Sequence, residues 1–317
     1  MRHTLFVITF FCLSTGFSQT SSVETVSVKQ DTNEFTFVKT PGLFSDHWDT
    51  LAQPAFWRQI MVLSPDSCLL NVARTRQVLH KESLANWNKL DDEGKEFARY
   101  KLRKLYDLDS TERIFMTTGK SDFYEFDLVY PSIKRGITVF EANNTDPWYA
   151  QAILMIESPG KLKHSVSGAY GPFQLMKSVA RNHGLTVNKY VDERKDFDKS
   201  AYGSAHLLRT ACIPESKRIM SKFGVDITDE SQYELWFRLL VLHVYHAGAG
   251  NVNNVMVNVV KPDCGCQSVI TTIWQSKYGN FGNSSQNYSQ LALASILVLD
   301  DFINQDCEKV EEEKVAE

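Results

Sequence analysis

The stretch Trp148-Tyr149-Ala150-Gln151-Ala152-Ile153-Leu154-Met155-Ile156-Glu157, closed by Ser158-Pro159-Gly160, decides how the rest of the chain is read. Nine of its first ten residues are apolar, aromatic or amide-bearing, and the only ionisable one is the last. Asp146 stands where an N-cap belongs, with Pro147 in the first turn, and Pro159-Gly160 stops the helix. A helix that is apolar nearly all round is one buried in a bundle. Its final carboxyl then leaves an apolar environment at a helix C-terminus. Burial and the helix dipole both disfavour the anion there, so Glu157 is a candidate proton donor near neutral pH. A Glu157 that turns outward to solvent is the plainer alternative at this point.

Outward from this helix the pattern is mainly helical. Upstream, Pro131 suits a first helical position, and Ile133, Ile137 and Phe140 share a face. Downstream, one helix is predicted from near Phe173 to Gly184. Another begins at Asp198 with Ala201, Ala205 and Leu208 on one side. An apolar helix follows from Gln232 to Tyr245, with further helices over 251–260, 269–276 and 286–304. The N-terminal part is less regular. Residues 20 to about 50 read as polar and irregular, 56–81 show scattered helical periodicity, 91–106 form an amphipathic helix, and 113–118 suit a short strand. Thr118-Gly119-Lys120-Ser121 lacks the glycine that a phosphate loop needs five residues before Gly119, where Ile114 stands, so it reads as a turn. Trp48, Trp57 and Trp87 are core candidates that can alternatively shape a groove.

Arg2 and His3 precede an apolar run from Leu5 to Leu13, too short for the ~20 residues of a membrane span. The start therefore reads as a secretory signal over residues 1–19, and the chain is expected to be exported, in the periplasm or cell envelope. A formal net charge of −4 argues against nucleic acid as a partner. Beyond Cys12 there are Cys68, Cys212, Cys264, Cys266 and Cys307, an odd number in a setting that permits disulfides. Cys264-Gly265-Cys266 has no second Cys or His pair at metal-site spacing and reads as structural. His243 and His246 are three apart but lack a third ligand partner, so no metal or organic cofactor is expected.

Three more segments complete a candidate site. Ser165 lies in a polar turn. Gly171-Pro172-Phe173-Gln174-Leu175-Met176 joins a glycine, which lets backbone approach a ligand, to an amide that both donates and accepts. Tyr245-His246-Ala247-Gly248 ends the second apolar helix, with Gly250-Asn251-Val252 just after it. Each has a bland reading: a loop, a helix start, one more packed aromatic. In this order, with Glu157-Ser158 ahead of them, they resemble the soluble lytic transglycosylase family. This is the lysozyme-like group of glycoside hydrolase family 23, which also includes goose-type lysozymes. Asp192-Glu193-Arg194 and the helix from Asp198 resemble its membrane-associated branch. The resemblance covers about residues 130 to 300.

It implies a mainly α, lysozyme-like helical domain over 130–305, preceded by a largely helical N-terminal extension over 20–129 that packs on it. The Glu- and Lys-rich residues 306–317 read as a disordered tail. It further implies cleavage of the β-1,4 bond between N-acetylmuramic acid and N-acetylglucosamine, with attack by the sugar's own hydroxyl giving 1,6-anhydro ends. Glu157 would be the acid and then the base. Ser158, Ser165, Gln174, Met176, Tyr245 and His246 would meet the glycan strand, and the N-terminal region would offer a surface to envelope protein partners. A hydrolytic muramidase and an inactive wall-binding protein remain alternatives. The chain departs from the family pattern in four places. Glu157 and Gln174 are 17 apart, one fewer than usual; Pro159 follows Ser158; His246 replaces Asn; and Lys177 replaces Pro.

Overall fold

The computed structural model describes residues 23–30, 32–157, 165 and 167–315, with side chains through Asn304. The signal segment falls outside these residues. The architecture is mainly α, with small sheets confined to the N-terminal part. No described helix is long and apolar enough to cross a membrane.

Two strands, β1 (Thr25–Gln30) and β2 (Asn33–Val38), form an antiparallel hairpin that pairs Val28 with Phe35 and Val26 with Phe37. This corrects the irregular reading of residues 20–50. The hairpin is half-buried, so polar residues alternate with the apolar ones and mask the pattern. Helix α1 (Ala52–Val62) then leads to β3 (Ser67–Val72) and β4 (Val78–Ser83), so the helical periodicity read over 56–81 breaks after one helix. Two short helices follow, α2 (Leu84–Lys89) and α3 (Asp92–Leu105), and then β5 (Ile114–Thr118). The sheet order is β4-β3-β5, all antiparallel. Its outer face covers a satellite core of Leu70, Val72, Leu79, Trp87 and Ile114. The N-terminal part is thus a mixture of helix and strand rather than largely helical.

Helix α4 spans Phe126–Ala142, which puts Pro131 inside it rather than at its start. Helix α5 (Trp148–Glu157) is buried from Trp148 to Ile156. Its N-terminus is capped as the sequence predicts, with the Trp148 amide donating to Asp146 Oδ1 at 3.0 Å. Then come α6 (Lys177–Asn182), α7 (Phe197–Leu207), a π-helical turn over Leu208–Cys212, and α8 (Ile213–Ser221). Residue Phe173 belongs to the turn before α6, not to a helix. Helices α9 (Leu235–Ala247), α10 (Ala249–Val255), α11 (Gln267–Gln275) and α12 (Asn283–Val315) complete the chain. The backbone of α12 stays helical to Val315, into the stretch expected to be disordered, where Glu and Lys are favourable helix formers. Cys264 and Cys266 are joined in a disulfide just before α11, which gives the Cys-Gly-Cys segment a structural role.

One core runs through the hairpin, α1 and the helical body. The single polar residue inside α5 explains part of this. Buried Gln151 accepts from the Val38 amide at 2.8 Å and donates to the Val38 carbonyl at 3.1 Å, taking the place of a neighbouring strand for β2. Trp57 donates to Gln290 and Trp148 to Thr40, so the indole N–H groups are satisfied while the rings pack. Trp48, Trp57 and Trp87 are all buried, as core residues.

His243 is wholly buried on α9. Trp274 donates to the Ser289 hydroxyl at 2.7 Å, Ser289 donates to His243 Nε2 at 2.7 Å, and His243 Nδ1–H donates to the Ser285 carbonyl at 2.9 Å. Every donor is used only if the imidazole is neutral, and burial holds its pKa down at about 3. The unfolded chain binds that proton near pH 6.5, so acid favours unfolding. We expect stability to fall by about 2 kcal/mol from this group between pH 6.5 and 5. Urea midpoints measured across that range check it, and the slope should flatten in a His243→Gln variant.

Candidate active site

Asp146 and Arg238 set the frame. Arg238, in the first turn of α9, donates from Nε to Asp146 Oδ2 at 2.8 Å, with both side chains nearly enclosed. Its guanidinium also lies over the rings of Trp148 and Tyr233. Because Asp146 caps α5, one carboxylate ties the beginnings of α5 and α9 together. Glu157 and Tyr245, near the far ends of the same helices, line one cleft of about 360 Å³. The sequence-predicted residues Ser165, Gln174, Met176 and His246 line it as well. Ser158 lies outside the described residues.

Glu157 is closely packed yet still reaches the cleft. Burial is the main force on its carboxyl and lifts the pKa to about 7. The Tyr288 hydroxyl of α12 is buried beside it. No described group meets that hydroxyl in full hydrogen-bond geometry, but it is near enough to favour the Glu157 anion and offset part of the rise. Burial and the neighbouring Glu157 charge keep the Tyr288 phenol protonated, so it is available as a donor. The His246 ring stacks on Tyr288 with centroids 4.3 Å apart, and burial lowers the His246 pKa. The imidazole that replaces the family's asparagine is therefore a neutral wall of the cleft at pH 7.

Burial raises the pKa of the Tyr245 phenol, and Tyr245 lies near enough to Glu157 for that carboxylate's charge to add to the rise. Its hydroxyl donates to the Phe173 carbonyl at 2.6 Å and accepts from Ser204 at 3.2 Å. The ring lines the cleft, but the polar end holds the Gln174 loop rather than facing a ligand. That loop is built around a buried arginine. Arg194 pairs with Asp192 through both Nε and Nη2, and its Nη1 donates to the carbonyls of Gly168 and Leu175, each at 3.0 Å. Gly171 has φ 86°, and a Cβ there would sit 1.8 Å from the Arg194 carbonyl oxygen, so no other residue fits. Tyr170 and Leu175 exchange both backbone hydrogen bonds across the turn. Gln174 is held at φ 47°, in the left-handed region unusual for a side-chain-bearing residue, and its amide donates to the Gly171 carbonyl at 3.0 Å. A non-glycine residue kept in that region by its surroundings is typical of ligand-binding turns. The Ser165 hydroxyl accepts from the Ala169 amide at 2.9 Å and keeps its proton for a further partner.

Four cleft features were not singled out in the sequence. Tyr288 sits 131 residues beyond Glu157, in a helix with no local mark of function. Ser167 lines the loop side. Cys212 and Glu215 line the cleft at and after the π-turn. The Cys212 thiol is buried, which pushes its pKa up to about 12 and leaves it unreactive. Asp192 and Arg194, noted in the sequence only for a resemblance to the membrane-associated branch, are the internal support of the loop. Among the described residues no group of His, Cys, Asp and Glu side chains is arranged to hold a metal ion.

A buried carboxyl with its pKa near 7, a phenol beside it and a groove lined with hydroxyl and amide groups make a site for proton transfer on a polyhydroxylated ligand. Residues 139–263 match the Transglycosylase SLT domain family. No curated protein and no solved structure matches the chain. The matched stretch holds every cleft residue from Glu157 to Ala249, while Tyr288 lies beyond it. This segment, and the cleft with it, belongs to the soluble lytic transglycosylase, lysozyme-like family, whose activity is directed at peptidoglycan.

Proposed function

We propose that the protein is an exported lytic transglycosylase that cuts the β-1,4 bond between N-acetylmuramic acid and N-acetylglucosamine. The observation that carries this reading is Glu157, a carboxyl lifted to a pKa of about 7 by burial on the floor of a sugar-sized cleft. Protonated Glu157 gives its proton to the glycosidic oxygen as the bond to the anomeric carbon breaks. The resulting carboxylate takes the proton of the muramoyl 6-hydroxyl as that oxygen closes on the same carbon. The product is a 1,6-anhydro ring, Glu157 is again protonated, and no water is consumed. The Tyr288 phenol steadies the carboxylate between the two transfers. Ser165, Ser167 and Gln174 face the acetamido and hydroxyl groups, and Met176 and His246 supply apolar wall.

A hydrolase needs a second carboxylate to activate water in most glycosidases. The other carboxylate in this cleft, Glu215, is clamped by Arg218 and partly exposed, a setting unlike that of Glu157. An inactive wall-binding protein has no use for a buried carboxyl whose burial costs stability.

Three outcomes follow. Mass spectrometry of digested peptidoglycan should find anhydro ends with the wild type, and Glu157→Gln should lower the rate by at least about a thousandfold. Reducing ends without anhydro ends would establish hydrolysis instead. The Glu157 pKa is raised in the folded state, so its protonated form is favoured there and stability falls as pH rises from 4.5 through 7. Glu157→Gln should therefore unfold later than wild type at pH 8, by up to about 3 kcal/mol, and nearly together with it at pH 4.5.

The rate should fall as pH rises through about 7, because the acid form is lost. Protonation of His246 lies below its ordinary range and does not set that limb. Removing a group that favours the Glu157 anion raises its pKa, so Tyr288→Phe should move the alkaline limb to higher pH while lowering kcat. A pH–rate profile of the two proteins checks both.

A further inference from the structure

The lining of the cleft includes residues of a π-helical turn, Leu208–Cys212, between α7 and α8. Such turns add a residue to the helical repeat and are frequent at functional sites. Here Leu207, Ala211, Cys212 and Glu215 all line the cleft across it. The first three make an apolar wall that ends in one carboxylate. Both Nε and Nη2 of Arg218 donate to the same oxygen of Glu215, Oε2, at 2.9 and 2.5 Å. Oε1 has no partner among the described residues, and the Glu215 side chain is 36% exposed. The carboxylate is therefore oriented by one oxygen and open at the other.

Among the described residues no lysine or arginine lines the cleft, and burial keeps His246 neutral. Glu157 is protonated in the form that starts the reaction. Among the described lining residues Glu215 is thus the charged one, and its carboxylate favours cations over anions beside it. Glu157 and Glu215 are two carboxyl groups in unlike settings, one enclosed and with no cation paired to it among the described residues, the other part-exposed and clamped by Arg218. Unlike settings assign unlike roles.

We propose that Glu215 is a specificity-determining residue that receives a primary ammonium group of the glycan strand through Oε1, with Arg218 as its positioning residue. The ammonium comes either from an amino side chain of a stem peptide or from a de-N-acetylated hexosamine. This inference rests on the glycan-strand reading of the same cleft.

The test is equilibrium binding of three soluble disaccharide-peptides to the full chain carrying Glu157→Gln, so that ligand is not consumed. One has its stem amine free, one has that amine acetylated, and one has the stem amine acetylated but the sugar amine free. Glu215-intact protein should bind one amine-bearing ligand about tenfold more tightly than the fully acetylated one, and the arm that wins identifies the source. Adding Glu215→Gln should bring the ratio close to one, Glu215→Lys should invert it, and Arg218→Leu should reduce it. A ratio near one with Glu215 intact, a preference that survives Glu215→Gln, or no binding of any of the three overturns the proposal. Anhydro ends from wild-type digests are scored separately, so a preference without cleavage upholds the assignment of Glu215 while rejecting the transglycosylase reaction.

Discussion

The ion pair between Asp146 and Arg238 is the constraint on which the site depends. It is nearly enclosed, and removing either partner from such a pair leaves an unpaired buried charge at a cost of about 3–5 kcal/mol. One oxygen of Asp146 caps α5 and the other receives the guanidinium from α9. The start of each helix is thereby fixed to the start of the other. Rigid helices carry that register to their far ends, where Glu157 and Tyr245 reach the same cleft. Helix α12 packs on both and delivers Tyr288 to the carboxyl.

The loop that faces Glu157 is held by a second set of charges working inward. Arg194 spends its donors on one carboxylate and two carbonyls of the turn, and the backbone of Gly171 lies against its carbonyl oxygen. Tyr245 adds a hydrogen bond to Phe173 from the helix side. Gln174 stays in the left-handed region because the residues on either side of it are pinned. Ordering of this kind lets polar groups meet a ligand without reorganising. It also explains why residues with obvious polar chemistry, Tyr245 and Arg194 among them, serve the loop rather than the ligand.

Much of the site was legible in the chain. The apolar run ending in Glu157 pointed to a candidate acid, and the glycine before Gln174 and the aromatic at the end of α9 pointed to residues that share its cleft. Helix starts written in capping residues, Asp146 above all, were legible because the signal is local. The N-terminal strands were harder. Val26, Val28, Phe35 and Phe37 alternate with polar residues as half-buried strands do, but a short hairpin of this kind carries little signal until its buried side has something to cover. Its cover is α4, α5 and α12, all far along the chain, with Tyr130 of α4 against Phe35 and Phe37 and Gln151 of α5 reaching across to Val38.

By itself the sequence determined the helical body, the candidate acid and the order of the segments around it, because periodicity, caps and turn glycines act over a few residues. Only the tertiary structure decided the pKa of Glu157, since burial depends on what packs around the carboxyl. It alone brought Tyr288 to that carboxyl, turned the Tyr245 hydroxyl onto Phe173 and set Glu215 in the same cleft. These are contacts between groups far apart in the chain, and no local spacing encodes them.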